Sequence, residues 1–110
     1  MKQYVIDELR PADQEKIKEY LDAHFGPAEM GDIYWIPVEP SLYNETQASH
    51  AVCHPLYFAV ELSEAALMME LLVRTKNKIR CDCICYATAD QFLWLVRVMD
   101  AIFERLEIKT

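Results

Sequence analysis

Apolar and polar positions follow two different periods along this chain. Leu56, Phe58, Val60 and Leu62 alternate with Tyr57, Ala59 and Glu61, the period of two by which a strand buries one face. A shorter stretch, Gln3 to Leu9, sets Tyr4 and Ile6 against Val5 in the same way. Ile33-Tyr34-Trp35-Ile36 is dense in β-branched and aromatic residues, and Pro37 behind it removes a ladder donor, which predicts a strand on a sheet edge. Ile79, Cys81, Cys83 and Cys85 alternate with Arg80, Asp82, Ile84 and Tyr86, predicting a further strand with its thiols on one face.

The other period is helical. Pro11 suits a first helical position, Asp13 and Glu15 favour its positive end, and Ile17, Tyr20, Leu21 and Phe25 recur on one stripe until Gly26-Pro27 stops it. Thr88-Ala89-Asp90-Gln91 reads as a capping box, after which Phe92, Leu95, Val96, Met99, Ile102, Phe103 and Leu106 define a long amphipathic helix. Its apolar arc is widened by Leu93, Trp94, Val98 and Ala101, more than one small sheet needs. That surplus points to a small non-enzymatic domain that self-associates as a homodimer or docks on a protein partner, with Trp94, Val98 and Ala101 in the interface.

Residues 63–74 fit both periods. Ala, Leu, Met and Glu behind Ser63 favour a helix, which would give a ferredoxin-like β-α-β-β-α-β order plus a C-terminal helix. Read as strand, Leu67, Met69, Leu71 and Val73 oppose Met68, Glu70, Leu72 and Arg74. The segment has too few polar positions for a surface helix, and Lys76-Asn77 suits a hairpin turn, so the strand reading is preferred. The expectation is one α+β domain over 1–110: an antiparallel meander of three to five strands with two helices on one face. The longest irregular stretch is Ser41 to Pro55, where a helical turn or two after a Ser41 cap leads into His50-Ala51-Val52-Cys53-His54-Pro55.

Composition adds boundaries. With 110 residues and 53% hydrophobic content, the chain can bury roughly 65% of its unfolded surface without needing a staple to fold. Eleven Lys+Arg against 18 Asp+Glu give a formal charge of −7, which argues against a nucleic-acid partner because phosphate binding is driven by basic contacts. The one basic cluster, Arg74, Lys76, Lys78 and Arg80, reads as a solvated turn. Charged residues interrupt the N-terminal stretch before an apolar leader develops, and no apolar run approaches the roughly 20 residues of a membrane span, so a cytoplasmic location is expected. Without a secretory route the Asn44-Glu45-Thr46 sequon carries no weight.

Candidate chemistry centres on the cysteines. Any two-disulfide framework must pair two of Cys81, Cys83 and Cys85 with each other, and i,i+2 positions of a strand stand about 6.6 Å apart with parallel side chains, near the limit of disulfide reach. Two readings then stand side by side. In one, the thiols are small hydrophobes of the core and no cofactor is bound. In the other, His50, Cys53 and His54 join Cys81, Cys83 and Cys85 in a zinc or thiol-redox site, thiolate and imidazole being the donors zinc takes. The ligand types fit but no Cys-x-x-Cys knuckle is present. Cys53-His54 alone could form an activated thiolate, without a third group to orient it. The glycines of Gly26 to Gly31 have phosphate-loop spacing, but Asp32 and Ile33 stand where Lys and Ser/Thr are required.

Overall fold

The computed structural model describes residues 1–109. Along the chain run β1 (Gln3–Ile6), α1 (Pro11–Phe25), β2 (Ile33–Pro37), α2 (Glu45–Ser49), β3 (Leu56–Leu62), β4 (Leu67–Glu70), β5 (Leu72–Thr75), β6 (Cys85–Tyr86) and α3 (Ala89–Arg105). Short 3-10 turns lie at Pro40–Leu42 and Ala51–Cys53. The architecture is α+β, a six-stranded antiparallel sheet with three α-helices, one strand more than the meander expected from sequence.

The sheet is organised by β3. Val60 pairs with Tyr34 of β2 on one edge and Met69 of β4 on the other, while Tyr57 pairs with Pro37 and with Arg74 of β5. β4 and β5 therefore follow each other along the same edge of β3. The break between them is Leu71, whose N–H donates to the Lys2 carbonyl (3.0 Å) and whose carbonyl accepts from Ala87 N–H (2.7 Å). Turned outward at this point, the chain picks up β1 beside β4 and β6 beside β5. The ambiguous segment is thus strand, and the ferredoxin-like alternative is not what the chain forms. Ser63 caps no helix. Its hydroxyl accepts from Ala66 N–H and donates to Ala66 carbonyl, both at 3.1 Å, closing the β3–β4 hairpin.

Alternation along β3 sends Leu56, Phe58, Val60 and Leu62 into a core shared with Ile17 and Leu21 of α1 and with Leu95, Met99, Ile102 and Phe103 of α3. α1 begins at Pro11, as its pattern predicts, and ends at Gly26, where a Cβ would stand 2.6 Å from the Asp22 carbonyl oxygen. Only glycine permits that approach. Tyr34 ties this helix to β2 by donating its hydroxyl to Asp22 at 2.6 Å. Burial raises the Tyr34 pKa above its ordinary value, and that hydrogen bond holds the Asp22 carboxyl below its own. Among the described residues, no helix is long and apolar enough to cross a membrane.

One strand reading fails. The alternation from Ile79 to Tyr86 predicts a strand with its thiols on one face, yet only Cys85 and Tyr86 pair with β5, opposite Val73 and Leu72. Residues 76–84 leave the sheet as a loop. Alternation fixes which side chains face which way only where a neighbouring strand is available, and β5 stops at Thr75. Cys85 parts from Cys81 and Cys83 as a result.

Candidate metal centre

His50 and Cys53 are brought together by local geometry. His50 closes α2, its N–H donating to Gln47 carbonyl at 3.2 Å, and Cys53 ends the following 3-10 turn, its N–H donating to His50 carbonyl at 2.9 Å. Residues three apart on such a turn stack on one side, so imidazole and thiol point the same way. Facing them is the 76–84 loop. Ile84 N–H donates to Cys81 carbonyl (3.0 Å), making a tight turn that sets Cys83 beside Cys81.

The four donors converge. His50 Nδ1 lies 3.0 Å from Cys81 Sγ, Cys53 Sγ lies 3.8 Å from Cys81 Sγ, and all donor atoms of His50, Cys53, Cys81 and Cys83 fall within 4.8 Å of one another. In a tetrahedral zinc site with Zn–S bonds of about 2.3 Å, sulfurs stand about 3.8 Å apart. The Cys53–Cys81 pair already has that separation, and the widest pair needs to close by no more than about 1 Å. Cys53 and Cys83 are buried, while His50 and Cys81 are half-exposed, so the cluster lies just beneath the surface.

Its electrostatics are those of a proton-sharing thiol cluster. The Cys81 thiol is brought down to about 6, first by the Cys83 backbone N–H and then by the hydrogen bonds of Cys83, His50 and Cys53 side chains. Burial, followed by hydrogen bonding to Cys81 and Cys53, pushes Cys83 up to about 12. Cys81 thus favours the charged form and Cys83 keeps a proton that a cation can replace.

The remaining residues expected at the site lie elsewhere. His54 Nε2 is 2.6 Å from Gln47 carbonyl oxygen, and its ring packs on Tyr43 with centroids 4.7 Å apart. Cys85 accepts from Asn44 Nδ2 (3.4 Å) and Gln47 Nε2 (3.5 Å). All four cysteines are free thiols. The expected interface residues are placed as follows: Trp94 stacks on Phe58 with centroids 6.3 Å apart, Val98 packs against the core, and Ala101 is exposed.

Sequence reasoning passed over Gln47, which is fully buried beside the cluster. Its Nε2 donates to Cys83 carbonyl at 3.3 Å, while its Oε1 accepts from Asn44 N–H (3.0 Å) and Gln91 Nε2 (2.8 Å). The signal was present: Asn44-Glu45-Thr46-Gln47 is a capping box, and it, not Ser41, starts α2. The His50-x-x-Cys53 spacing was equally visible and is a knuckle with one thiol replaced by imidazole. No family model, curated protein or solved structure matches the chain, so the site is read from its own geometry.

Proposed function

We propose that this chain is a small non-enzymatic domain that binds one structural Zn²⁺ through His50, Cys53, Cys81 and Cys83. The observation that carries the reading is the convergence of these four donor atoms within 4.8 Å from two segments some 30 residues apart. Three soft thiolates and one imidazole suit zinc, and four protein donors fill a tetrahedron, leaving no open position for substrate or activated water. Cys83 carbonyl, held by the buried Gln47 amide, supplies the outer support that such ligands require. The ion's role is to fasten the 76–84 loop, which has left the sheet, to the turn at 50–53. A reducing, cytoplasmic setting belongs to the same reading, because it keeps the thiols available as ligands.

Native mass spectrometry of freshly purified protein tests it. The expected mass is the 12.8 kDa chain plus one zinc, with the metal lost in Cys53→Ser and Cys81→Ser and retained in Cys85→Ser. A metal-free chain that also fails to take up added zinc would overturn the reading.

A further inference from the structure

We propose that the groove between the Met30–Asp32 turn and the 76–80 loop docks a short acidic segment of a protein partner, one that carries an apolar anchor residue. Met30 and Ile79 are each 92% exposed, more than any other large apolar side chain among the described residues. Both line a single groove of about 430 Å³, together with Ile33 and Trp35. These last two lie on the sheet face opposite the buried Tyr34 and Ile36, so their apolar surface is turned away from the core. Two nearly bare aliphatic tips over a half-exposed indole form the kind of surface that soluble proteins keep for partners.

Charge selects the occupant. Residues 71–81 hold Arg74, Lys76, Lys78 and Arg80 and no acid, while the other seven Lys/Arg of the chain face all 18 Asp/Glu. Arg74 is paired with Glu70 (2.9 Å), and Lys76 with Glu29 (3.0 Å), its ammonium also resting 5.3 Å from the Trp35 ring centre and 4.9 Å from that of Tyr57. Lys78 and Arg80, on either side of Ile79, have no ion-pair partner among the described residues. Among the residues lining the groove, Arg74, Lys76 and Lys78 stand against Glu29 alone, so an anion is attracted into it. At physiological salt such fields extend about 8 Å, so a short acidic segment feels the patch alone, whereas a nucleic-acid strand would run onto the acidic surface beyond it.

The backbone selects the mode. At the β2 edge, Ile33 N–H and carbonyl are already bonded to Glu29 (3.2 and 2.8 Å), and Pro37 has no N–H to offer. Trp35 between them is left with an outward N–H and carbonyl, too short a run for an added strand, so the partner engages chiefly by side chains. The loop that forms one lip is held at both ends: Thr75 Oγ1 donates to Cys53 carbonyl at 2.7 Å and Asn77 Nδ2 to Val52 carbonyl at 3.0 Å, while Cys81 and Cys83 belong to the metal quartet. The firmness of that lip rests on the zinc reading, so the two are tested in the same samples.

Short random peptides displayed on phage are selected against the full zinc-loaded chain, and the zinc content of each preparation is measured. The expected enrichment is Asp and Glu around a Leu, Ile, Phe or Trp, with binding weakened by rising salt and by about tenfold or more in Ile79→Glu and in Lys78→Glu, two exposed positions where the fold is unaffected. No enrichment, enrichment without acids, affinity indifferent to both variants, or tighter binding of a single-stranded oligonucleotide would each overturn the docking proposal. A preparation with one zinc per chain that enriches nothing overturns the groove and leaves the metal site standing. A preparation that takes up no added zinc yet still enriches acidic peptides overturns the metal site and leaves the groove standing.

Discussion

His50 and His54 differ by one helical turn in position and by everything in surroundings. His50 faces Cys81 at 3.0 Å, whereas His54 is spent on the Gln47 carbonyl and the Tyr43 ring. His50→Ala is therefore expected to lower zinc affinity by orders of magnitude and His54→Ala to leave it nearly intact, as measured by competition with a chromophoric chelator; equal effects would mean the wrong imidazole was assigned. In the metal-free chain Cys81 is the thiol already ionised near neutral pH and partly open to solvent, so iodoacetamide should modify it first, and zinc should protect it. Peptide mapping that finds Cys85 labelled ahead of Cys81 would contradict this. Away from the site, the Tyr34 hydroxyl lowers the Asp22 pKa, with Lys18 adding to it. A lowered carboxyl pKa contributes stability that is present above the ordinary carboxylate range and is lost as pH falls through the folded value. Tyr34→Phe should raise the Asp22 midpoint in a carboxyl NMR titration and flatten that acid limb; an unmoved midpoint counts against the hydrogen bond. At this scale, residue types spoke clearly and directions did not. The six candidate donors were read from the sequence, but only folding decides that Cys53, not His54, faces the loop.

Two elements owe their placement to a pair of glutamines. Gln47 and Gln91 each occupy the fourth position of a capping box, and the two side chains meet, Gln91 Nε2 donating to Gln47 Oε1 at 2.8 Å. Gln91 Nε2 also donates to Leu42 carbonyl at 2.9 Å, so the N-termini of α2 and α3 are locked to each other and to the cluster through Cys83 carbonyl. Gln47→Leu keeps the volume but strands several buried polar groups, and should cost about 2–4 kcal/mol in a denaturant melt while weakening zinc affinity. A loss below about 0.5 kcal/mol, the range of ordinary surface changes, would deny the network its role. The same elements show why period alone goes only so far. β3, α1 and α3 were legible because each buries a continuous face against a core. The 79–86 alternation looked as regular, but whether a strand forms there depends on a partner β5 that ends at Thr75, a fact absent from the local pattern.

At the scale of the whole molecule, the core and the loop are stabilised by different means. Besides Cys53 and Cys83 of the quartet, eighteen buried apolar side chains drawn from α1, α3, the sheet and its connections form one cluster, enough for the domain to fold without metal. The 76–84 loop touches the core only near its end, through Cys81, Cys83 and Ile84, and is otherwise held by a few hydrogen bonds and the quartet. Removing zinc should leave far-UV circular dichroism nearly unchanged while amide exchange in 76–84 accelerates by about tenfold or more. Global unfolding on chelation would instead mean that the metal carries the fold. The class, α+β with an antiparallel sheet, was readable from local periods; the His/Cys quartet joins segments far apart in sequence, and such closure leaves no periodic trace. X-ray absorption at the zinc edge of the washed 110-residue chain tests the proposed metal site most directly. Three sulfurs at about 2.3 Å and one nitrogen at about 2.0 Å are expected. A first shell dominated by nitrogen and oxygen, or no zinc edge in protein incubated with the metal, would contradict the site.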